Sequence, residues 1–135
     1  MPGVATDLLF VYGTLRPGAR SPMTRYLTAN ADLIGRARYQ GRLYRVAHYP
    51  GVVPSRHPQE RVIGDVLRLA DPERVLRRLD IHEGCGPGAP RPPEYVRHIV
   101  PLRLEAGGDI DAWTYIYNWP LARFTRIRSG DFLRR

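Results

Sequence analysis

The chain has 135 residues, 43% of them hydrophobic, and this length and composition predict a single domain, residues 1–135, with a core of its own. All 21 basic residues are arginine, and the absence of lysine excludes a Schiff-base mechanism and a P-loop. The single cysteine excludes an internal disulfide, and no apolar run is long enough to span a membrane. No basic segment followed by an apolar stretch begins the chain, so we expect no signal peptide and a cytoplasmic location.

The first predicted strand, residues 8–12, leads into the most informative loop of the sequence. Its apolar run stops at Tyr12-Gly13-Thr14-Leu15, which is typical of a buried strand that enters a turn. Glycine lets a ligand approach the main chain closely, and successive N–H groups in such a turn can hold an anion. The loop is therefore a candidate site for a carboxylate or an oxyanion, although an ordinary strand-to-turn junction has the same pattern.

The middle of the chain predicts one short helix and several strands. The predicted elements are, in order, a helix that begins at Ser21-Pro22, an extended region at 33–47, a turn at 48–51, a brief strand at 52–53 and a strand at 61–69.

The helix with the clearest boundaries is predicted at 71–83. Asp71 is a good N-cap residue, Pro72 suits the first helical position, and Gly84 is a natural residue just beyond the C-terminus. Glu83 stands at the very end, where the helix dipole opposes negative charge and tends to raise the pKa of the carboxyl group. A carboxylate so placed is either an ordinary surface residue or a group tuned for proton transfer.

The last third of the chain predicts a loop and a pair of strands. Residues 84–93 are rich in glycine and proline and should form an irregular loop that borders Glu83. Alternating residues at 95–104 predict a half-buried strand, and a tight turn leads to a returning strand at 110–117 that should pair with it antiparallel. The predicted elements together favour a β-rich α+β domain.

Five short motifs follow one another along the chain. They are Val11-Tyr12-Gly13-Thr14-Leu15-Arg16, Leu79-Asp80-x-x-Glu83-Gly84, Tyr95-x-Arg97, Tyr115-x-Tyr117 and Ser129-Gly130-Asp131-Phe132. In this order they resemble the γ-glutamylcyclotransferase-like family, which includes γ-glutamylamine cyclotransferases and small AIG2-like bacterial members. The resemblance covers residues 8–132 and implies a small mixed β-barrel-like sheet with flanking helices. Thr14 replaces the serine of many members and keeps the hydroxyl group.

The resemblance also implies an enzyme of the γ-glutamylcyclotransferase type. The α-amine of a γ-glutamyl amine, amino acid or peptide attacks its own γ-carbonyl, and the products are 5-oxoproline and the released amine. Because the substrate supplies the nucleophile, the implied mechanism needs no catalytic serine or cysteine, and we expect no cofactor. Glu83 is the implied acid–base residue. The implied binding residues are Tyr12 as a wall, the N–H groups of Gly13, Thr14 and Leu15, and Tyr115 and Tyr117 as candidate hydroxyl donors.

Two other classes of function stay open. The same fold could be a non-catalytic module that binds a small acidic ligand, although the presence of Glu83 argues against it. The formal net charge of +8 also permits an arginine-rich nucleic-acid-binding domain. A solvated basic surface is favoured over that alternative because the arginines are scattered. Those that approach a cluster are Arg123, Arg126, Arg128, Arg134 and Arg135.

Other catalytic chemistries have weaker support in the sequence. His82-Glu83 begins like a zincin motif, but Gly86 stands where the second histidine is needed, and the four histidines show no metal-ligand spacing. We therefore expect no metal site. Cys85 is close to Glu83 and is the alternative nucleophile, although a lone cysteine in a glycine-rich loop is more often incidental. The leaving group and the oligomeric state are not determined by the sequence.

Overall fold

Seven strands, two α-helices and a short 3-10 helix make up the part of the chain that the computed structural model describes, residues 6–17, 21–121 and 123–134. The strands are β1 (Leu8–Val11), β2 (Ala31–Arg45), β3 (Pro50–Pro54), β4 (Arg61–Leu69), β5 (Tyr95–Leu104), β6 (Asp109–Tyr117) and β7 (Thr125–Arg126). The helices are α1 (Pro22–Asn30), α2 (Pro72–His82) and the 3-10 helix Phe132–Arg134. No helix within these ranges has the length and apolar character needed to cross a membrane.

Five of these strands close into a small barrel. They are hydrogen-bonded in the order β2-β4-β1-β6-β5, and β5 pairs back onto β2 through Ala37 with Leu104 and Arg38 with Arg103. β1 and β6 run parallel, whereas the other barrel pairs run antiparallel. The far end of β2 extends beyond the barrel and pairs with β3 and β7. The predicted α+β fold, with a mixed barrel-like sheet and flanking helices, is confirmed.

Strand β1 is buried on both faces, which explains its unbroken apolar sequence. Phe10 belongs to the hydrophobic cluster inside the barrel, whereas Leu9 and Val11 belong to the cluster outside it, as expected from the alternation of side chains along a strand. The outer cluster also contains the buried face of α2, formed by Val75, Leu76 and Leu79. Packing of α2 onto this side of the barrel brings the C-terminal end of the helix towards the loop that follows β1.

Neither β7 nor the 3-10 helix was predicted, and two further differences concern the turn at 48–51 and the N-cap of α2. Pro50 and Gly51 were expected in a turn but belong to β3, because the chain there pairs with the end of β2. Asp71 stands at the N-cap of α2, as predicted, but it has a positive φ of 52° and its side chain makes no capping hydrogen bond. Its carboxylate instead accepts from Arg74 at 3.0 Å. Gly84 follows the helix with a φ of 74°, the left-handed conformation expected just beyond a helix end.

The turn at Ser129-Gly130-Asp131 gives a testable prediction about stability. Gly130 has a φ of 71°, and a Cβ atom at this position would collide with the main-chain carbonyl oxygen of Arg61. We expect Gly130→Ala to lower the free energy of unfolding by about 3 kcal/mol, since left-handed strain and the backbone collision add together. Urea denaturation followed by circular dichroism measures the change.

Gly88→Ala is the matched control. Gly88 has a similar φ of 83°, but no heavy atom outside its immediate neighbours lies within 4 Å of a Cβ built there. This variant should lose only about 1–2 kcal/mol, because it carries the conformational strain without the collision. Equal losses in the two variants would contradict the assigned contact with Arg61.

Candidate active site

The loop after β1 and the C-terminal end of α2 meet at one cavity of about 570 Å³. Its lining includes the whole Tyr12-Gly13-Thr14-Leu15 loop, Glu83 and Tyr115. Two segments that are far apart in the sequence are thus brought to the same space by the packing of α2 onto the barrel. The cavity lies beside the barrel, with Phe10 and Val11 of β1 in its wall.

The start of α1 anchors the loop. The carbonyl oxygen of Thr14 accepts hydrogen bonds from the hydroxyl groups of Thr24 at 2.6 Å and Ser21 at 3.3 Å. In a trans peptide the C=O and the following N–H point in opposite directions, so the N–H of Leu15 is directed away from α1. Within the described part of the chain, no hydrogen bond uses the main-chain N–H of Gly13, Thr14 or Leu15. These groups are available to hold an anion in the cavity.

The requirement for glycine at position 13 comes from packing. A Cβ atom there would lie 2.5 Å from Cγ of Pro50, which is closer than real Cβ contacts allow. Gly13 does not have a positive φ angle, so its conformation does not require glycine. The neighbouring strand β3, rather than an unusual backbone angle, therefore explains this glycine.

Glu83 is a partly buried carboxylate at the C-cap of α2. Burial raises the pKa of its carboxyl group to about 7, and the nearby carboxylates of Glu94 and Asp80 contribute in the same direction. The sequence predicted a raised pKa from the helix dipole, whereas burial is the largest cause in the structure. Both protonation states of Glu83 are populated near neutral pH, as a residue that accepts and returns a proton requires.

Tyr115 lines the cavity, but its hydroxyl proton is already used. The hydroxyl group donates to Oδ1 of Asp80 at 2.7 Å. Asp80 also receives two hydrogen bonds from Arg97, at 2.8 and 2.9 Å, and the Arg97 guanidinium lies over the ring of Trp113. This network orients Tyr115 and engages its hydroxyl proton, so the predicted role as a hydroxyl donor to substrate stays a prediction that this hydrogen bond does not support. Its oxygen can accept a hydrogen bond, and its ring forms part of the wall.

The structure places Tyr117 outside the lining of the cavity. It shares a face of β6 with Tyr115, as the alternation of side chains requires, but it lies two residues further along the strand. There its ring packs edge-on against Tyr95 and Phe124, with centroid separations of 5.3 and 5.9 Å. The predicted contact of Tyr117 with substrate stays a prediction, and this position does not support it. Tyr12 does line the cavity, and its hydroxyl group donates to the carbonyl oxygen of Tyr115 at 2.6 Å.

A second carboxylate in the cavity, Glu94, was not singled out from the sequence. It stands directly before β5, and one of its oxygens accepts a hydrogen bond from the Tyr49 hydroxyl group at 2.7 Å. Tyr49 and Glu94 both line the cavity. The hydrogen bond to Glu94 raises the pKa of Tyr49 to about 12, so its hydroxyl group stays protonated. The sequence contained one signal that could have identified Glu94, namely a charged residue immediately before a strand whose first residue is buried.

The glycine- and proline-rich loop borders the cavity only at its ends. Gly84 lines it, and Glu94 lies just beyond the loop, but residues 85–93 do not take part in the lining. Cys85 is among them. Burial raises the pKa of its thiol to about 11, and Asp80 lies 3.9 Å from the sulfur. A thiol that keeps its proton is a poor nucleophile, so the structure does not favour the alternative mechanism through Cys85.

Arg16 connects two of the sequence motifs in the interior. It is almost fully buried and forms ion pairs with Asp65 at 2.9 Å and Asp131 at 2.7 Å. Asp131 belongs to the Ser-Gly-Asp motif near the C-terminus, whereas Arg16 directly follows the Tyr12-Gly13-Thr14-Leu15 loop. Removal of one partner from such a pair leaves an uncompensated buried charge. The motif near the C-terminus thus helps to hold the loop in place, which the sequence did not reveal.

Several other arginines gather on a different surface. Arg45, Arg126, Arg128 and Arg134 line a second cavity of about 420 Å³. Three of these belong to the cluster predicted near the C-terminus, while Arg135 lies outside the described residues. The nucleic-acid alternative concerns this surface and stays a hypothesis. Among the described residues, no three His, Cys, Asp or Glu side chains are grouped so that they could hold a metal ion.

The fold and the cavity define a class of small barrel proteins in which the loop after β1 and a partly buried glutamate at a helix end line one cavity. The family model for γ-glutamyl cyclotransferase, AIG2-like, matches residues 9–134. The chain belongs to this family, as its motifs predicted.

Individual relatives agree with this assignment. The chain is 32% identical to the γ-glutamylcyclotransferase family protein YtfP of Escherichia coli K12, over 94% of this chain and 96% of the relative. The solution structure of YtfP matches with a TM-score of 0.65 at 31% identity, covering 93% of this chain and 96% of YtfP. The crystal structure of YkqA from Bacillus subtilis matches with a TM-score of 0.70 at 29% identity, over 95% of this chain but 40% of YkqA.

A fourth comparison concerns a relative with a more specific name. A protein of Niallia circulans is named γ-L-glutamyl-butirosin B γ-glutamyl cyclotransferase. It is 33% identical over 112 residues, which cover 82% of this chain and 66% of the relative.

Proposed function

We propose that this protein is a γ-glutamylcyclotransferase that converts a γ-glutamyl amide into 5-oxoproline and the released amine. The observation that carries the proposal is the meeting in one cavity of Glu83, whose pKa is about 7, and the Gly13–Leu15 loop, whose N–H groups have no hydrogen-bond partner among the described residues. Membership of the family supports the same reaction class, and the name of the Niallia circulans relative supports a γ-glutamyl substrate.

The proposed chemistry begins with the α-ammonium group of the substrate beside Glu83. The carboxylate takes one proton, and the free amine attacks the γ-carbonyl carbon to form the ring C–N bond. The N–H groups of the loop bind the α-carboxylate or stabilise the developing oxyanion. Glu83 then returns the proton to the leaving nitrogen as the amide C–N bond breaks. The ring nitrogen then loses its second excess proton and the released amine takes one up, so the amine is released as an ammonium ion and both atoms and charge balance.

Two physical features make so few residues sufficient. The nucleophile is part of the substrate, so the enzyme need not supply one from a serine or cysteine side chain. Ring closure is intramolecular, and holding the glutamyl chain in a folded conformation can lower the barrier by several kcal/mol. The cavity needs to provide shape, an anion site and a proton carrier.

The direct test is incubation with a γ-glutamyl amine, a γ-glutamyl amino acid and a γ-glutamyl peptide. We expect 5-oxoproline and the free amine in equal amounts from at least one of them, measured by mass spectrometry against a sample without protein. A non-catalytic module on this fold would bind such a compound and form no 5-oxoproline. That outcome would overturn the proposal.

A further inference from the structure

The described lining of the candidate active site has acidic side chains but no arginine, in a protein that is strongly basic. Its lining contains two carboxylates, Glu83 and Glu94, and the described lining residues include no arginine, although the chain has 21. The two histidines in the lining are His48 and His82, and burial lowers the pKa of His82. A cleft lined by one sign of charge attracts ligands of the opposite sign.

Glu94 is held so that it faces this cavity with one oxygen free. Tyr49 donates to Oε2 at 2.7 Å, and the main-chain carbonyl of Glu94 accepts from the N–H of Asn118 at 2.7 Å. In the described part of the chain, Oε1 has no hydrogen-bond partner and no arginine pairs with the carboxylate. The ring of Tyr49 lies in the same wall, and aromatic faces attract ammonium groups.

The proposed reaction leaves Glu94 without a counter-charge. A γ-glutamyl group carries one ammonium and one carboxylate. In the proposed reaction Glu83 meets the ammonium, and the N–H groups of the loop meet either the carboxylate or the developing oxyanion. Nothing in that group pairs with a second carboxylate. An amino acid as leaving group would bring another negative charge, since its carboxylate is one carbon away from the scissile nitrogen. An alkylamine with a distant ammonium would instead supply the missing positive charge.

We infer that Glu94 and Tyr49 form a subsite for a cationic leaving group, so that the enzyme prefers γ-glutamyl amides whose released amine carries a second ammonium. This inference rests on the proposed function, because it concerns the same cavity. It makes Glu94 a residue that determines specificity, while Glu83 carries the proton.

The experiment compares two isosteric substrates. One is the mono-γ-glutamyl amide of 1,5-diaminopentane, and the other is γ-glutamyl hexylamide, in which a methyl group replaces the terminal ammonium. We expect kcat/KM to be about tenfold higher for the cationic substrate, and Glu94→Gln to bring this ratio close to one. Both substrates use the same Glu83, so any change in its pKa cancels in the ratio. Tyr49→Phe should reduce the ratio partially, since Glu94 loses the hydrogen bond that holds its carboxylate in place.

Glu105→Gln is the matched control, because Glu105 is an exposed glutamate in the turn between β5 and β6. It should leave the ratio unchanged. A parent protein that cleaves both substrates equally well would overturn the subsite. An equal loss on both substrates in Glu94→Gln would also overturn it, because Glu94 would then act on the γ-glutamyl group.

If the proposed function is wrong, the result is different, because the parent protein then cleaves neither substrate. The subsite is then tested by calorimetric titration with 1,5-diaminopentane and with hexylamine. Tighter binding of the diamine that is lost in Glu94→Gln supports the subsite without any turnover. Equal binding of the two amines overturns it.

Discussion

Glu83→Gln should lower kcat for 5-oxoproline formation by about a hundred- to ten-thousandfold, which is the usual effect of removing a general acid–base residue. The amide has nearly the same shape as the carboxyl group but cannot accept the ammonium proton. The fold should persist, because the substitution removes a partly buried charge that no side chain in the described residues neutralises. Steady-state kinetics and thermal unfolding measure the two effects separately.

The pH dependence gives an independent readout of the same residue. The ionised form of Glu83 is the base, so kcat/KM of the parent protein should fall as the pH drops through about 7. Glu73→Gln is the matched control, since Glu73 is an exposed glutamate in the first turn of the same helix. It should keep both the rate and the pH profile. If Glu83→Gln forms 5-oxoproline at the parent rate, Glu83 is not the base.

Acetylation of the substrate's α-amine should abolish the reaction. The lone pair of the α-nitrogen forms the new ring bond, and acylation withdraws it into an amide. We expect no detectable release of amine from an α-N-acetyl-γ-glutamyl amide under conditions where the free form is consumed. Chromatography of the released amine allows both compounds to be followed with one assay.

The same pair of substrates distinguishes cyclotransfer from attack by the Cys85 thiol. A thiolate that attacked the γ-carbonyl would not require a free α-amine, so equal cleavage of both compounds would rule out cyclotransfer. Cys85→Ala should keep the parent rate on the free substrate, since the thiol lies outside the cavity lining and its pKa is raised to about 11. Loss of activity in this variant, with an unchanged fold, would argue for a role of the sulfur.

The sequence by itself determined where most of the strands and helices lie and to which family the chain belongs. The apolar run before Tyr12 predicted a strand, and β1 agrees closely with it. A strand that is buried on both faces has apolar residues at successive positions, so the run is easy to recognise. Arg61–Leu69 and Tyr95–Leu104 were predicted with the bounds that the structure has. The end of α2 was readable because Pro72 and Gly84 mark the two termini by their backbone restrictions. Glu83 was selected by its place at that terminus and by the order of the motifs.

The tertiary structure decided what depends on contacts between distant segments. Closure of the barrel rests on the pairing of β5 with β2, and no local pattern in either strand encodes that partner. Tyr115 and Tyr117 share one face of β6, but only Tyr115 is among the described residues that line the cavity, while the ring of Tyr117 packs against Tyr95 and Phe124. Burial, which depends on the whole fold, raises the pKa of Glu83 more than any neighbouring charge does. Glu94 became a candidate specificity-determining residue only because the fold placed it in the same cavity as Glu83 and within hydrogen-bonding distance of Tyr49.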